Sequence, residues 1–319
     1  MRTRARFATY AWSVTAWNVL TILWGTLVRA TGAGAGCGSH WPLCNGQVVP
    51  RAPAAETLTE FYHRLTSGLA LLLVIGLVVA SRRVSAPGSL TRRASWASLG
   101  FVIAEALIGA GLVLFGWVAQ DQSLGRALTV SLHLVNTLLL LGALTISARA
   151  ASLPDQVALH WSQRRLAGIG AGLAAVAVLG ATGAVTALGD TLFPVLSLAE
   201  GLAADASPAA NALVRLRVVH PVLAVLAGGY LLALAGAFRP SGGRPARLAR
   251  ALTAIVLVQW VAGALNVILL APVSLQIVHL LLADLAWITL VLLALAIGEQ
   301  EAARPGAGPA PTWAREPSP

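Results

Sequence analysis

Long apolar runs separated by short polar connections dominate this chain. The first extends from about residue 8 to 28, and seven more follow at about 61–81, 95–118, 127–148, 166–188, 213–238, 250–271 and 275–297. Each is long enough to cross a bilayer as a helix, which takes about 20 apolar residues. The pattern predicts an all-α integral membrane protein with eight transmembrane helices, the first of them an uncleaved span and not a signal peptide.

The distribution of charge predicts how the spans are oriented in the membrane. The chain is 57% hydrophobic and 11% charged with a net charge of +10, and its arginines cluster at the N-terminus and near residues 82–93, 149–165 and 239–250. These clusters mark alternate connections, which is typical of cytoplasmic loops facing anionic lipid. We therefore expect membrane lipid and no nucleic acid as a partner, both termini in the cytoplasm, and a disordered cytoplasmic tail over 301–319.

Short sequence matches indicate an internal repeat. The sequence ATGA at 30–33 recurs at 181–184, and the segment 105–109 resembles 259–263. They predict two pseudo-symmetric four-helix bundles, one formed by residues 1–155 and the other by 156–300.

Four histidines lie near the starts of the even-numbered spans, so they share one depth near the outer face: His63, His133, His220 and His279. Each half supplies two of them, from its second and fourth helices. Two imidazoles from separate helices of a bundle can ligate a heme iron axially. For one histidine alone a headgroup contact explains the position equally well, but four matched positions favour heme ligation.

Glu60 distinguishes the two halves. It precedes His63 by three residues and shares its helix face, whereas Arg217 holds the matching position before His220. We therefore expect chemistry in the first half and a supporting, electron-accepting heme in the second. The alternative for Glu60 is an acid that complements the helix dipole.

Other polar residues have candidate roles. The arginines at the outer face could pair with heme propionates or with lipid headgroups; they are Arg29, Arg64, Arg215 and Arg217. Glycines within the spans could admit a macrocycle or serve helix packing; they are Gly68, Gly109, Gly111, Gly228 and Gly229. Glu105 and Asp284 lie inside spans, as members of a proton path or as hydrogen-bonded packing residues.

Cys37 and Cys44 are the only cysteines, in the first outer loop. An oxidising exterior predicts a disulfide, either a structural staple or a pair that exchanges electrons with an external thiol partner. His40 lies between them, and the three residues could together form a metal site, although three ligands at this spacing match no closed zinc pattern. His40 and His160 fall in loops outside the repeated pattern and are not assigned as ligands.

The segment GTLVRATGAG at 25–34 leads into CGSHWPLCNG at 37–46, and Glu60, His63 and Arg64 follow. Together these residues resemble the heme A synthase family of the eight-helix bacterial type, over nearly the whole chain. The resemblance implies a bacterial cell membrane protein that oxidises the C8 methyl group of heme O to the formyl group of heme A for cytochrome oxidase assembly. A hydroxymethyl intermediate is implied, with water suggested as the oxygen source.

The resemblance also implies site roles. Heme b would be the cofactor, with His220 and His279 as its axial ligands, and heme O would bind at His63 and His133. Glu60 would be required for turnover, because a carboxylate in an apolar pocket can stabilise cationic charge on the methyl carbon or take its proton. Heme O synthase and an external thiol or electron-transfer protein are the implied partners.

The chain departs from some relatives between spans 5 and 6, where they carry a second cysteine pair. Residues 189–215 contain no cysteine, so only Cys37 and Cys44 could serve a thiol route.

Two other function classes fit four histidines. One is a dihaem cytochrome b-like electron carrier, which usually takes ligand pairs from the same two helices; here four helices give one histidine each. The other is a heme assembly scaffold, which needs the histidines but not Glu60.

Overall fold

Helices form nearly all of the computed structural model, which describes residues 2–155 and 159–303. Ten helices follow one another along these residues: α1 (Arg2–Ala30), α2 (Ala55–Val84), α3 (Leu90–Leu114), α4 (Leu124–Ala150), α5 (Gln163–Leu192), α6 (Leu198–Ala206), α7 (Ala212–Leu216), α8 (Val219–Phe238), α9 (Gly243–Ile268) and α10 (Val273–Ala302). The predicted tail is helical as far as Ala302, and its residues 304–319 lie outside the described ones.

Eight helical segments of the described residues are long and apolar enough to cross a membrane. Seven are single helices, and the sixth, Ala212–Ser241, combines α7, α8 and a closing turn. The prediction of an all-α chain with eight transmembrane helices is confirmed, and each span lies where the apolar runs placed it. The molecule is built as a multi-pass membrane protein.

The sixth span is interrupted where its histidine site begins. Helix α7 ends at Leu216 and α8 starts at Val219. Pro221 explains the break, because it has no N–H to donate to the Arg217 carbonyl and its ring clashes with that group. The Arg217 side chain turns away from the helix axis, and its Nε donates to Asp205 Oδ1 at 3.0 Å.

One end of the bundle carries the Cys37–Cys44 disulfide, and we call it the disulfide end. Arg29, at the end of α1, connects three spans there. Its Nη1 donates to the Ala187 carbonyl at 2.8 Å and to Thr191 Oγ1 at 2.9 Å on α5, and its Nη2 donates to Gln276 Oε1 at 2.7 Å on α10. The ends of α1 and α5 and the start of α10 therefore lie together.

Ion pairs join the spans at the opposite end. Arg149 at the end of α4 pairs with Glu299 of α10 at 2.5 Å, and Arg165 at the start of α5 pairs with Glu301 at 2.5 Å. The arginine clusters thus mark alternate connections, as predicted. The side of the membrane that each end faces stays a prediction.

The two halves are packed alike and share one core. In the first half α1 to α4 form a ring in chain order, and α5, α8, α9 and α10 do so in the second. The main hydrophobic cluster joins Leu141 of α4 to Leu231, Leu252 and Leu290 of the second half. This arrangement is consistent with two pseudo-symmetric bundles, and the boundary between 155 and 156 stays a prediction.

The ATGA match was wrong in register. Gly183 lies against His220, because a Cβ there would be 2.9 Å from the His220 Cε1. The first-half counterpart is Gly25, where a Cβ would be 3.0 Å from the His63 Cε1. Gly32 instead follows the end of α1 in the left-handed conformation, with φ of 71°, which glycine adopts without strain.

We predict that Gly228→Ala destabilises the packing of α8 on α9. A Cβ at Gly228 would lie 2.5 Å from Nε1 of Trp260, whose N–H donates to the Ala224 carbonyl at 3.0 Å. Overpacking of this kind costs about 1–3 kcal/mol. Thermal unfolding of the detergent-solubilised protein should therefore show a lower midpoint.

Gly229→Ala is the matched control, since a Cβ there meets no other described side chain within 4 Å. It should leave the midpoint unchanged or raise it, because alanine is the better helix former by up to about 1 kcal/mol. Equal midpoints for the two variants would contradict a tight contact at Gly228.

Candidate functional site

Two pairs of histidines lie near the disulfide end. His63 of α2 and His133 of α4 form the first-half site, and His220 of α8 and His279 of α10 form the second-half site. All four imidazoles are half-buried. The first and second members of each pair come from the second and fourth spans of their half, as predicted.

The two imidazoles of the second-half site are about as far apart as a metal ion bound between them would require. The ring centroids of His220 and His279 are 6.4 Å apart, with their planes at 80°. Two metal–nitrogen bonds of about 2 Å, placed end to end with two imidazole radii, also span about 6 Å. Thr182 Oγ1 lies 3.3 Å from Nδ1 of His220, which leaves Nε2 of that ring for another ligand. These residues fit a heme held between two imidazoles.

The first-half site also presents an imidazole without a protein partner. His63 packs on α1 at Gly25, where a Cβ would be 3.3 Å from its Nε2. Its Nδ1 is buried and has no hydrogen-bond partner among residues 2–155 and 159–303. Because buried polar atoms are nearly always paired, this nitrogen fits a group that binds from outside the chain.

Glu105 of α3 is the acid that contacts a site histidine. Its carboxylate pairs with Nδ1 of His133 and accepts hydrogen bonds from Asn136 Nδ2 at 2.8 Å and Thr137 Oγ1 at 2.9 Å. Sequence reasoning placed Glu105 inside a span without assigning it to a site. Its match with Gln259 was the available signal, because Gln259 likewise lies against the histidine of its half, with Nε2 3.3 Å from Nε2 of His279.

Glu60 holds the disulfide loop against α2. Its carboxylate is buried, with 3% of the residue exposed, and accepts the Cys37 N–H at 2.8 Å. The other oxygen forms an ion pair with Arg64, whose Nε lies 3.1 Å away. Arg64 Nη1 also donates to the carbonyls of His40 and Leu43, both at 2.7 Å. Glu60 is therefore fixed one turn before His63 by contacts from both sides.

The predicted disulfide is present, and both cysteines are buried, with Cys37 at 0% and Cys44 at 1% exposure. The alternative of a metal site with His40 is wrong, because the two sulfur atoms are bonded to each other. In the described part of the chain, no three His, Cys, Asp or Glu side chains converge as metal ligands. A redox role for the pair stays a prediction.

Three of the four candidate arginines are engaged by the protein itself. Arg29 joins α1 to α5 and α10, Arg64 holds the disulfide loop, and Arg217 pairs with Asp205 and, at 3.3 Å, with Asp190. Arg215 is exposed, and its side chain has no hydrogen bond or ion pair within the described residues. It lines a cavity of about 490 Å³ beside Asp205. Propionate binding by any of the four stays a prediction.

Asp284 differs from Glu105. It is 0% exposed, and neither carboxyl oxygen has a hydrogen-bond partner in the residues that the structure describes. Glu105 is thus hydrogen-bonded and Asp284 is not, and a place for either acid in a proton path stays a prediction.

Comparison with protein families finds one match over most of the chain. The family model COX15-CtaA, described as cytochrome oxidase assembly protein, matches residues 8–291. Several curated proteins named Heme A synthase match part of the chain. The one from Shouchella clausii is 44% identical over 98 residues, 31% of this chain and 33% of that protein. The one from Macrococcus caseolyticus is 47% identical over 91 residues, 28% of this chain and 30% of that protein.

A longer match carries a different name. A Protoheme IX farnesyltransferase of Thermus thermophilus is 47% identical over 303 residues, which are 94% of this chain and 50% of that protein. The chain therefore spans about half the length of this relative.

We predict that Glu60→Gln loosens the disulfide loop. The substitution removes the ion pair with Arg64 and weakens the hydrogen bond from Cys37 N–H. Hydrogen bonds to charged groups contribute about 1.5–3 kcal/mol, so the buried disulfide should become accessible roughly tenfold to a hundredfold more often. The rate of its reduction by a soluble phosphine, followed by alkylation and mass spectrometry, measures this. Glu56→Gln, an exposed acid on the same helix, should leave the rate unchanged, and equal rates for both variants would contradict the prediction.

We predict opposite stability changes for the two intramembrane acids. Asp284→Val removes a buried polar group that has no described partner, so unfolding should become less favourable by about 1–3 kcal/mol. Glu105→Val removes the carboxylate from His133 and one of two acceptors from each of Asn136 and Thr137, and it should be destabilising by a similar amount. Thermal unfolding in detergent compares them. A destabilised Asp284→Val variant would show that Asp284 has a bound partner, such as a buried water.

Proposed function

The chain belongs to the heme A synthase family of cytochrome oxidase assembly proteins, and we propose that it oxidises the C8 methyl group of heme O to the formyl group of heme A. The observation that carries this proposal is the unequal pair of histidine sites. The first-half site has acids beside its histidines, Glu105 and Glu60, whereas the matching positions of the second half are Gln259 and Arg217. One site is thus suited to chemistry and the other to holding a cofactor.

The first-half site is proposed to bind heme O. His63 and His133 would ligate its iron, which the buried, unpartnered nitrogen of His63 supports. We assign the catalytic carboxylate to Glu60, which Arg64 and the Cys37 N–H hold one turn from His63. A fixed carboxylate in a site of low dielectric can stabilise positive charge that develops on the methyl carbon or accept its proton.

The second-half site is proposed to hold heme b through His220 and His279, which the 6.4 Å separation of their rings supports. When bound, heme b would supply an acceptor for electrons removed from the substrate. The residues of the chain bind and orient it: Thr182 contacts His220, Gln259 contacts His279, and Gly183 gives the His220 ring room against α5.

We further propose the cellular setting. The protein lies in a bacterial cell membrane with its disulfide end outside and its termini in the cytoplasm, because the arginine-rich connections are at the other end. Heme O synthase would supply the substrate, and an external thiol or electron-transfer protein would meet the Cys37–Cys44 pair. The loop between α5 and α8 has no cysteine, so no second pair is available there.

Farnesyl transfer to heme is a second candidate, because the relative that matches 94% of this chain is named for it. The dihaem electron carrier and the assembly scaffold remain further alternatives. The products of the reaction distinguish the two enzyme activities from each other and from these non-enzymatic alternatives.

The test is extraction and chromatography of hemes from membranes that contain the full chain and a source of heme O. We expect heme A from the wild type, and from Glu60→Gln accumulated heme O or a hydroxylated intermediate with heme A reduced by roughly 10²-fold or more, the usual contribution of a general acid or base. Arg64→Gln breaks the same ion pair but keeps the acid. If Glu60 is catalytic, Arg64→Gln should lose much less heme A than Glu60→Gln does. Equal losses of heme A would show that Glu60 only supports the loop.

Other products would favour the alternatives. Conversion of heme B and farnesyl diphosphate to heme O would establish farnesyl transfer. Heme b alone, under conditions in which a known heme A synthase makes heme A, would favour the electron carrier. Turnover unaffected by Glu60→Gln would remove Glu60 from the chemistry.

A further inference from the structure

We propose that Glu105 is a positioning residue for His133, and that it makes the first-half heme ligand a stronger electron donor than its counterpart in the second half. The proposal rests on the proposed function, which makes His133 a ligand of heme iron. Glu105 lies outside the short motifs at 25–46 and 60–64 that carry the family resemblance.

The contacts of Glu105 fix its position. One carboxylate oxygen accepts from Asn136 Nδ2 at 2.8 Å and from Thr137 Oγ1 at 2.9 Å, and the other pairs with Nδ1 of His133. Asn136 Nδ2 also donates to the Phe101 carbonyl at 2.9 Å on α3, the helix that carries Glu105. The carboxylate is therefore held between two helices and has little freedom to leave the imidazole.

The same contacts orient the imidazole. With Nδ1 paired to the carboxylate, Nε2 is the nitrogen left to bind a metal, and rotation of the ring would break the pair. Thr137 Oγ1 lies 2.9 Å from the His133 carbonyl as well, so the histidine and its acid share a neighbour. A carboxylate on the distal nitrogen of a ligand histidine fixes its tautomer and raises its basicity as a ligand.

The second half has neutral groups where the first has this acid. Gln259 matches Glu105 and lies 3.3 Å from Nε2 of His279, so on that ring Nδ1, which has no hydrogen-bond partner among the described residues, is the nitrogen left to bind a metal. Thr182 Oγ1 lies 3.3 Å from Nδ1 of His220. Neither an amide nor a hydroxyl brings a negative charge to the ring. A more basic ligand favours ferric over ferrous iron, so a heme on His133 should have a lower reduction potential than one on His279.

A purely structural role is the competing explanation, because the same contacts also tie α3 to α4. Stability measurements cannot separate the two, since loss of Glu105 affects both. The reduction potential can separate the two explanations, because a contact that only ties two helices together does not change the electron donation of an imidazole.

The experiment is an optical redox titration of the full chain in detergent, loaded with heme b and with heme O under anaerobic conditions without turnover. The first-half signal is identified as the one lost in His133→Ala. In Glu105→Gln its potential should rise, by about 59 mV for each tenfold loss of preference for ferric iron. Titration of the apoprotein with ferric heme O should show about 10- to 100-fold weaker binding at this site. The second-half potential should stay as in the wild type.

Gln259→Glu is the reciprocal variant, and it keeps the test informative if Glu105→Gln does not fold. A carboxylate placed beside His279 should lower the potential of the second-half heme and leave the first-half signal unchanged. Opposite shifts in the two variants would support the proposal.

Two results would overturn it, for different reasons. If Glu105→Gln binds heme O and shows the wild-type potential, Glu105 is only a tether and the proposed function is untouched. If His133→Ala leaves both the heme content and the spectrum unchanged, His133 is not a ligand, and the assignment of the first-half site fails together with the proposal.

Discussion

The contact between the Glu60 carboxylate and the first loop determines how the disulfide end is built. Between α1 and α2 the chain buries little: Ala33, Cys37 and Cys44 are its only buried residues. Such a segment has too little apolar surface to order itself. It is held by one covalent bond and by the hydrogen bonds that Glu60 and Arg64 supply from α2. Because His63 lies one turn further along the same helix face, the loop and the first-half site are positioned by one element.

The two halves share a scaffold and differ in charge. Gly25 packs against His63 and Gly183 packs against His220, so the two glycines hold matching positions in their halves. Arg29 follows Gly25 in the chain just as Ala187 follows Gly183, so Arg29 and Ala187 also match. Arg29 donates to the carbonyl of that same Ala187. An arginine of one half thus binds the backbone at the matching point of the other, and this contact joins the halves near the disulfide end.

The hydropathy pattern predicted the features that a bilayer imposes on the chain. Particular side chains show where prediction from the sequence failed. The positions of the spans and the common depth of the histidines follow from the length and spacing of the apolar runs, because each run must match the thickness of the bilayer's hydrocarbon core. The ATGA match was out of register because alanine, glycine and threonine recur in any packed membrane helix, whereas the useful marker was a glycine touching an imidazole. The break at Arg217 was readable from Pro221. The pairing of Glu105 with His133 joins two helices and leaves no local pattern, so its one trace in the sequence was the match of Glu105 with Gln259 in the repeat.

Acids inside an apolar bundle are stable only when other groups share their charge, and this limits what each can do. Glu60 is bound on both sides by Arg64 and a backbone N–H, so it offers a fixed charge to a neighbouring site. Glu105 is bound by two neutral donors and an imidazole, so its charge acts on that ring. In the proposed function these two acids act separately, Glu60 toward the loop and the reacting carbon and Glu105 toward the ligand. The second half has neither acid at the matching positions, and the function proposed for it, holding an electron acceptor, requires none.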